Sequence, residues 1–350
     1  MSFTFIIYNI VLLFGVFFAA ISERIKSNSN HIPIIASFLV VSLFVGLRHY
    51  VGNDYDGYIH LFRAIRYGVE TRLEYGYYLL NMLFSESING YKYVMIVSSF
   101  ITFFFLFRTL IREKILALGI FFIFAFEFVF LMNDQVRQGM TIAMFLYAIQ
   151  FIEQRKFYTY ALIIISAGLL FHYTALIVLP FYFFYRKPIP SWVWCIAIIV
   201  SFVFYLRGFF QDIFGNIIPS IPFYGERFAK VAKLVIPLES EGSGLAVFFW
   251  VIISIYIALN QNKINRPLLV NLYLFGTVFF IVSLDFHLFS RLSYYLVYIK
   301  VLVLPLYIKN ETNWVLKIGV LAAALLFFEL EVFLELGTHG AFPYLTIFDD

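Results

Sequence analysis

Long apolar runs separated by short polar interruptions set the pattern of this sequence. The runs fall near 3–21, 32–47, 91–107, 115–132, 134–153, 157–171, 172–185, 191–206, 245–260, 268–285, 291–308 and 314–333. A helix needs roughly 20 mostly apolar residues to cross a bilayer core, and somewhat shorter ones are tolerated. In lipid each segment must satisfy its own backbone N–H and C=O groups, so runs without two-residue alternation are helices and not barrel strands. The pattern predicts an all-α fold, a polytopic transmembrane helical bundle of about 12 spans forming one domain over 1–350. The stretch 157–185 reads either as two short helices bent at His172 or as one long tilted helix. No internal repeat is visible.

Charge gives the set a direction. Short loops rich in Lys and Arg stay on the cytoplasmic side. Arg24/Lys26, Arg108/Arg112/Lys114, Arg155/Lys156, Arg186/Lys187, Lys263/Arg266 and Lys309 share one side only if 157–185 crosses twice, which favours the bent pair. Both termini then lie outside, as do two long connections, 48–90, with an amphipathic piece around Leu73–Phe84, and 207–244. These connections are basic too, against the rule, and an anionic ligand is one reason for that. Only 13% of the residues are charged, against about 25% in soluble domains, so most of the surface is expected to face lipid. The single cysteine, Cys195, forms no intramolecular disulfide, no basic tract suggests nucleic acid, and the run Phe3 to Ala20 reads as a retained span.

Four polar clusters interrupt the apolar pattern, all at the predicted outer ends of spans, where ionisable groups are the default functional candidates. The first runs from Gly46-Leu47-Arg48 through Asn53-Asp54-Tyr55-Asp56-Gly57-Tyr58. A guanidinium fork suits phosphate oxygens, while the plainer reading is an interfacial belt with Arg48 paired to Asp54. The second is Asn133-Asp134-Gln135-Val136-Arg137-Gln138-Gly139. Asp134 there could cap the next helix or pair with Arg137. The third is Phe171-His172-Tyr173-Thr174. His172 is either a packing residue or, because imidazole titrates near neutrality, an acceptor for a hydroxyl proton. The fourth is Asp285-Phe286-His287 through Arg291, followed by Tyr294, Tyr295 and Tyr298, with an interfacial cap and aromatic belt as its plainer reading. Walker-type, HExxH, GxSxG and zinc-ligand patterns are absent from the sequence. An enzyme of this kind would take a substrate that is already activated.

The segments Gly46-Leu47-Arg48, Val51-Gly52-Asn53-Asp54-Tyr55 with Tyr58, Val136-Arg137-Gln138-Gly139-Met140 with Ala143, and Ala167 to Ala175 resemble the EpsG family in order and spacing. That family is similar to the Wzy-type O-antigen and exopolysaccharide polymerases, and Arg291 with its downstream tyrosines resembles the family's late Arg/Tyr segment. The resemblance implies a glycosyltransferase of the bacterial cytoplasmic membrane, with its site on the periplasmic or exterior face. It would join repeat units carried on undecaprenyl pyrophosphate, with no cofactor or metal, and with a chain-length regulator as a possible partner. His172 is then the candidate base and Asp54 the runner-up, with Arg48, Arg137 and Arg291 on the pyrophosphate. Tyr55, Tyr58, Gln138, His287 and Tyr295 are the sugar candidates. The rivals are a flippase for the same lipid-linked unit, an O-antigen ligase and an acyltransferase. A transporter often carries inverted repeats and broken helices, and the clustering of polar groups at one face favours a one-sided enzyme.

Overall fold

The computed structural model describes residues 3–25, 31–210, 244–284, 287–334 and 340–349, the side chains of 244–246 and 287–290 excepted. Every regular element among them is helical. Two compact units form, one from 1–183 with 304–350 and the other from 184–303.

In the first unit, α1 (Phe3–Arg24), α2 (His31–Gly46) and α5 (Gly90–Glu113) pack side by side. Small residues let the backbones approach, as expected for helices that gain little from burying apolar surface in lipid. Ser37 donates to the Gly15 carbonyl at 2.7 Å, and Ser99 to that of Ser42 at 2.7 Å. The run predicted as one span near 115–132 is broken. α6 (Leu116–Ala125) and α7 (Phe128–Asp134) meet at 61°, with Glu127 between them in the left-handed region at φ 61°. The bend ends α7 at Asn133 and Asp134, and after Gln135 the chain resumes as α8 (Val136–Glu153).

The stretch 157–185 adopts the bent form. α9 (Phe157–Leu170) stops, the chain turns at Phe171 and His172, and a 3₁₀ helix (Tyr173–Phe183) returns along α9. The Tyr160 hydroxyl closes this hairpin on the Val178 carbonyl at 2.5 Å.

Within the 48–90 connection, α4 (Tyr75–Leu83) is the predicted amphipathic piece, and α3 (Tyr55–Arg66) is an additional helix. Residues Tyr55, Tyr58, Ile59, Phe62 and Ile65 recur at helical spacing and are buried, while Asp56 and His60 face outward. Of these, Tyr55, Tyr58, Ile59 and Phe62 join Tyr77, Tyr91, Met95, Val136 and Met140 in one apolar core.

Residues 340–349 form no helix. They run against 47–52, His49 N–H donating to the Leu345 carbonyl (2.8 Å), Gly52 N–H to that of Gly340 (2.8 Å) and Ile347 N–H to that of Leu47 (2.9 Å). Tyr344 is clamped between α1 and α2, stacked on Phe44 with ring centroids 4.4 Å apart and taking a backbone bond to Thr4. α14 (Lys300–Asn310) and α15 (Trp314–Leu334) follow the second unit, whose boundary falls inside α14. At the opposite end of the first unit, Lys309 donates to the carbonyls of Glu113 and Lys114 (3.2 and 3.3 Å), and the Ala117 N–H reaches Glu23 (3.4 Å). The basic ends of α1, α5 and α14 therefore gather away from Arg48.

The second unit packs α10 (Ser191–Leu206), α11 (Gly244–Leu259), α12 (Pro267–Ser283) and α13 (His287–Val297). Buried hydroxyls in it bond one another, Ser254 to Tyr273 and Thr277 at 2.9 and 3.0 Å. Lys300 lies over the Trp250 ring at 3.8 Å.

Three described helices are long and apolar enough to cross a membrane, Phe3–Arg24, Gly90–Glu113 and Arg291–Asn310, or four if the bent α6–α7 pair is one span. The remaining predicted runs within the described residues are present as shorter or more polar helices. The architecture is that of a membrane-embedded helical protein.

Candidate functional site

Three of the four polar clusters meet at one end of the first unit, and a residue from none of them joins them. Glu74 precedes α4 in extended conformation. Gly76 keeps this turn tight against the end of α9, since a Cβ there would lie 2.7 Å from the Leu170 side chain. That approach sets Glu74 beside the turn at Phe171–Tyr173. Its Oε2 accepts from Arg137 Nη1 at 2.6 Å, and its Oε1 accepts from the Tyr173 N–H at 3.1 Å. His172 Nδ1 stands 3.4 Å from the same Oε1, at the long limit for a hydrogen bond. One carboxylate thus divides its two oxygens between a guanidinium and an imidazole.

Electrostatics explain why the carboxylate stays ionised. Burial alone would raise its pKa, but His172 and the charge of Arg137 outweigh it and hold the Glu74 carboxyl down to about 2, against an ordinary 4.5. Arg137 sits in the first turn of α8, where the helix dipole disfavours a cation, and Glu74 offsets that. The folded-state value lies below the unfolded one, so the pair's contribution to stability is complete above about pH 4.5 and drains as pH falls towards about 2. Thermal unfolding followed from pH 7 down to 3 should show this acid slope in the native protein. The slope should be absent from Glu74→Gln.

Arg48 occupies a different position. It is 1% exposed, and its guanidinium donates to the carbonyls of Val45 (2.5 Å) and Asn133 (3.3 Å), with Met95 sulfur at 3.5 Å. It has no carboxylate partner among the described residues, so the expected pair with Asp54 does not form. Its charge is felt by Tyr58 and Tyr77, and these two tyrosines also feel the charge of Arg137. The Arg137 guanidinium, 26% exposed, is the accessible member.

Other expectations are redirected. Gln135 stands at the cap position of α8, Arg137 pairs with Glu74, and the Asp134 carboxylate accepts the backbone N–H of Asp54 at 3.0 Å, tying the start of α3 to the end of α7. Close contact of these two segments depends on Gly52. Its φ is +106°, and a Cβ would lie 2.0 Å from the Asn133 carbonyl oxygen. Tyr55 and Tyr58 are core residues, 1% and 8% exposed. The Tyr55 hydroxyl donates to the Arg48 carbonyl at 3.2 Å, which closes it off from a sugar. Gln138 is buried on α8.

Arg291 and Tyr295 lie on α13 in the second unit, Arg291 half-buried and Tyr295 fully buried. Asp285 and the side chain of His287 lie outside the described residues. Around Glu74 several shielded polar atoms have no hydrogen-bond partner: Tyr77 Oη, Arg137 Nε, and, towards Arg48, Asn133 Oδ1 and Gln135 Oε1. Buried polar atoms in native proteins are nearly always satisfied, so these exceptions make this end of the unit the candidate place for a polar ligand.

Glu74 was the residue missed by the sequence reading. It lies between Leu73 and Tyr75 with no partner at helical spacing, and its contacts are 63 and 99 residues distant. The one local signal was a carboxylate at the start of an amphipathic piece.

No curated protein and no solved structure matches this chain. A family profile does, over residues 31–346, a span that contains Arg48, Glu74, Arg137, His172 and Arg291. That match covers far more than half of the sequence, and the chain belongs to the EpsG family of Wzy-type polysaccharide polymerase-like membrane proteins.

Proposed function

We propose that this protein is a polysaccharide polymerase, a glycosyltransferase that joins repeat units carried on undecaprenyl pyrophosphate. The observation that carries the reading is Glu74 held between Arg137 and His172, because it sets a partly exposed cation and a potential base side by side. In the reaction the acceptor hydroxyl attacks the anomeric carbon of the donor sugar. His172 takes the hydroxyl proton on Nε2, the C–O bond to the pyrophosphate breaks, and its electron pair leaves with the lipid pyrophosphate. Arg137 neutralises the charge that develops there, as preorganised donors do in transferases generally. Glu74 fixes the imidazole with Nδ1 towards the carboxylate and stabilises the imidazolium formed, in the manner of acid–histidine pairs elsewhere. Arg48 adds positive potential from beneath the tyrosines and holds the loop in place.

The same proposal has about 12 spans and puts the cluster on the exoplasmic side. Supporting this is the collection of Lys and Arg at the opposite end of the first unit, where cytoplasmic loops carry them.

Purified protein in nanodiscs, supplied with the lipid-linked repeat unit, should lengthen it into polymer. His172→Ala should slow elongation roughly 10²–10⁴-fold, the range of a lost general base. Native chain lengths from inserted His172→Ala would remove the base assignment. Wild-type protein that moves the lipid across a vesicle membrane without lengthening it would make the chain a transporter.

A further inference from the structure

With Tyr55 and Tyr58 buried, the aromatic surface open to a sugar lies elsewhere. A cleft of about 570 Å³ opens beside Glu74, between the end of α3, the 68–73 connection, α4, Leu169 and Tyr173. Its volume is within the ~300–1,000 Å³ range of small-molecule sites. Tyr75 and Tyr78 stand three residues apart on α4 and so share a face. Tyr173 joins them from the 3₁₀ helix. Tyr75 and Tyr173 are 64% and 56% exposed. Polar groups line the same space, Glu70 and Thr71, and the Thr71 hydroxyl is shielded without a partner.

We infer that this cleft is a saccharide subsite, holding the sugars next to the reacting hydroxyl. The inference rests on the polymerase reading and deepens it. A sugar presents C–H faces and a rim of hydroxyls. Tyrosine offers both an apolar ring and a polar tip, and Thr71 and Glu70 supply hydrogen-bond partners for the rim. The cleft is also built into the reactive cluster. Tyr173, one of its walls, gives its backbone N–H to Glu74 and directly follows His172. A glycan lying on Tyr75, Tyr78 and Tyr173 therefore ends within reach of the imidazole. Tyrosines are common at membrane edges as anchors, but here three rings line one open cleft beside an unsatisfied hydroxyl.

The test is a substrate titration of nanodisc-inserted protein with the lipid-linked unit. Tyr75→Ala/Tyr173→Ala should raise KM about tenfold, the effect of removing two ring contacts, while kcat changes less than twofold. Thr71→Val should raise KM in the same direction without removing any ring. An unchanged KM in both variants would overturn the subsite. So would a double variant that fails to insert alongside a Thr71→Val protein with native KM, which would make the tyrosines anchors. Saturation-transfer NMR with the oligosaccharide released from the producing cell's own surface polysaccharide separates the two claims. Wild-type protein that binds this sugar through the tyrosines yet makes no polymer would keep the subsite and remove the polymerase. Polymer formation with a KM indifferent to all these variants would do the reverse.

Discussion

Glu74→Gln is expected to slow polymer elongation about a hundredfold or more, within the range of general acid–base effects, while the protein still inserts and folds. Glutamine keeps the shape and can still accept the Tyr173 N–H, so the turn at Phe171–Tyr173 should hold. What it removes is the charge. Arg137, now 2.6 Å from a carboxylate oxygen, would face a neutral amide, and the His172 imidazolium would form without its counter-charge. Glu74→Asp restores charge on a shorter stem and should recover part of the rate. Because Glu74 acts through His172, the double variant with His172→Ala should be scarcely slower than His172→Ala alone, the non-additivity of residues that work as a unit. Initial rates normalised to monodisperse, detergent-extracted protein measure this. A Glu74→Gln protein that elongates at the native rate would leave the carboxylate as a structural brace.

The second large effect concerns stability. Gly52→Ala should cost about 3 kcal/mol or more, by strain at a conformation that L side chains rarely adopt plus a steric clash. The added Cβ would sit 2.0 Å from the Asn133 carbonyl oxygen. Loop 47–52 would have to part from α7, and the Arg48 bond to that same carbonyl and the Gly52 bond to Gly340 would both be stretched. A steep fall in Tm and in extracted yield is the expected reading. Gly57→Ala is the control, because nothing lies within 4 Å of its Cβ position in α3, and alanine suits a helix interior. Equal Tm values for the two variants would show that the loop does not approach α7 as described.

Much of this arrangement was legible from apolar runs and local spacing. Apolar runs pointed to helices, and the shared sidedness of the basic loops favoured the bend at His172. α3 was passed over because Gly52, Asn53, Asp54 and Gly57 carry turn chemistry, although the spacing of Tyr55, Tyr58, Ile59, Phe62 and Ile65 was helical throughout. The tyrosines were judged by type, so Tyr55 and Tyr58 were assigned to sugar when the inner face of α3 takes them into the core. Local rules misled at Asp134 and Arg137 for a related reason. A cap and a partner three residues along the helix were the nearest candidates, yet each side chain bonds a group more than 60 residues away. Glu74 could not be found by such rules, since its partners come together only when α4, α8 and the 171–173 turn are packed.

The pairing of 47–52 with 340–347 has a consequence for how this protein is made. Segments nearly 300 residues apart in the chain exchange backbone bonds at the Arg48 loop, and domains otherwise tend to fold as the ribosome delivers them. α1, α2 and α5 can pack early during translation. The loop beside them must wait until its distant partner segment has been synthesised, so the surroundings of Arg48 and Gly52 are completed late, after most of the chain has been threaded into the bilayer.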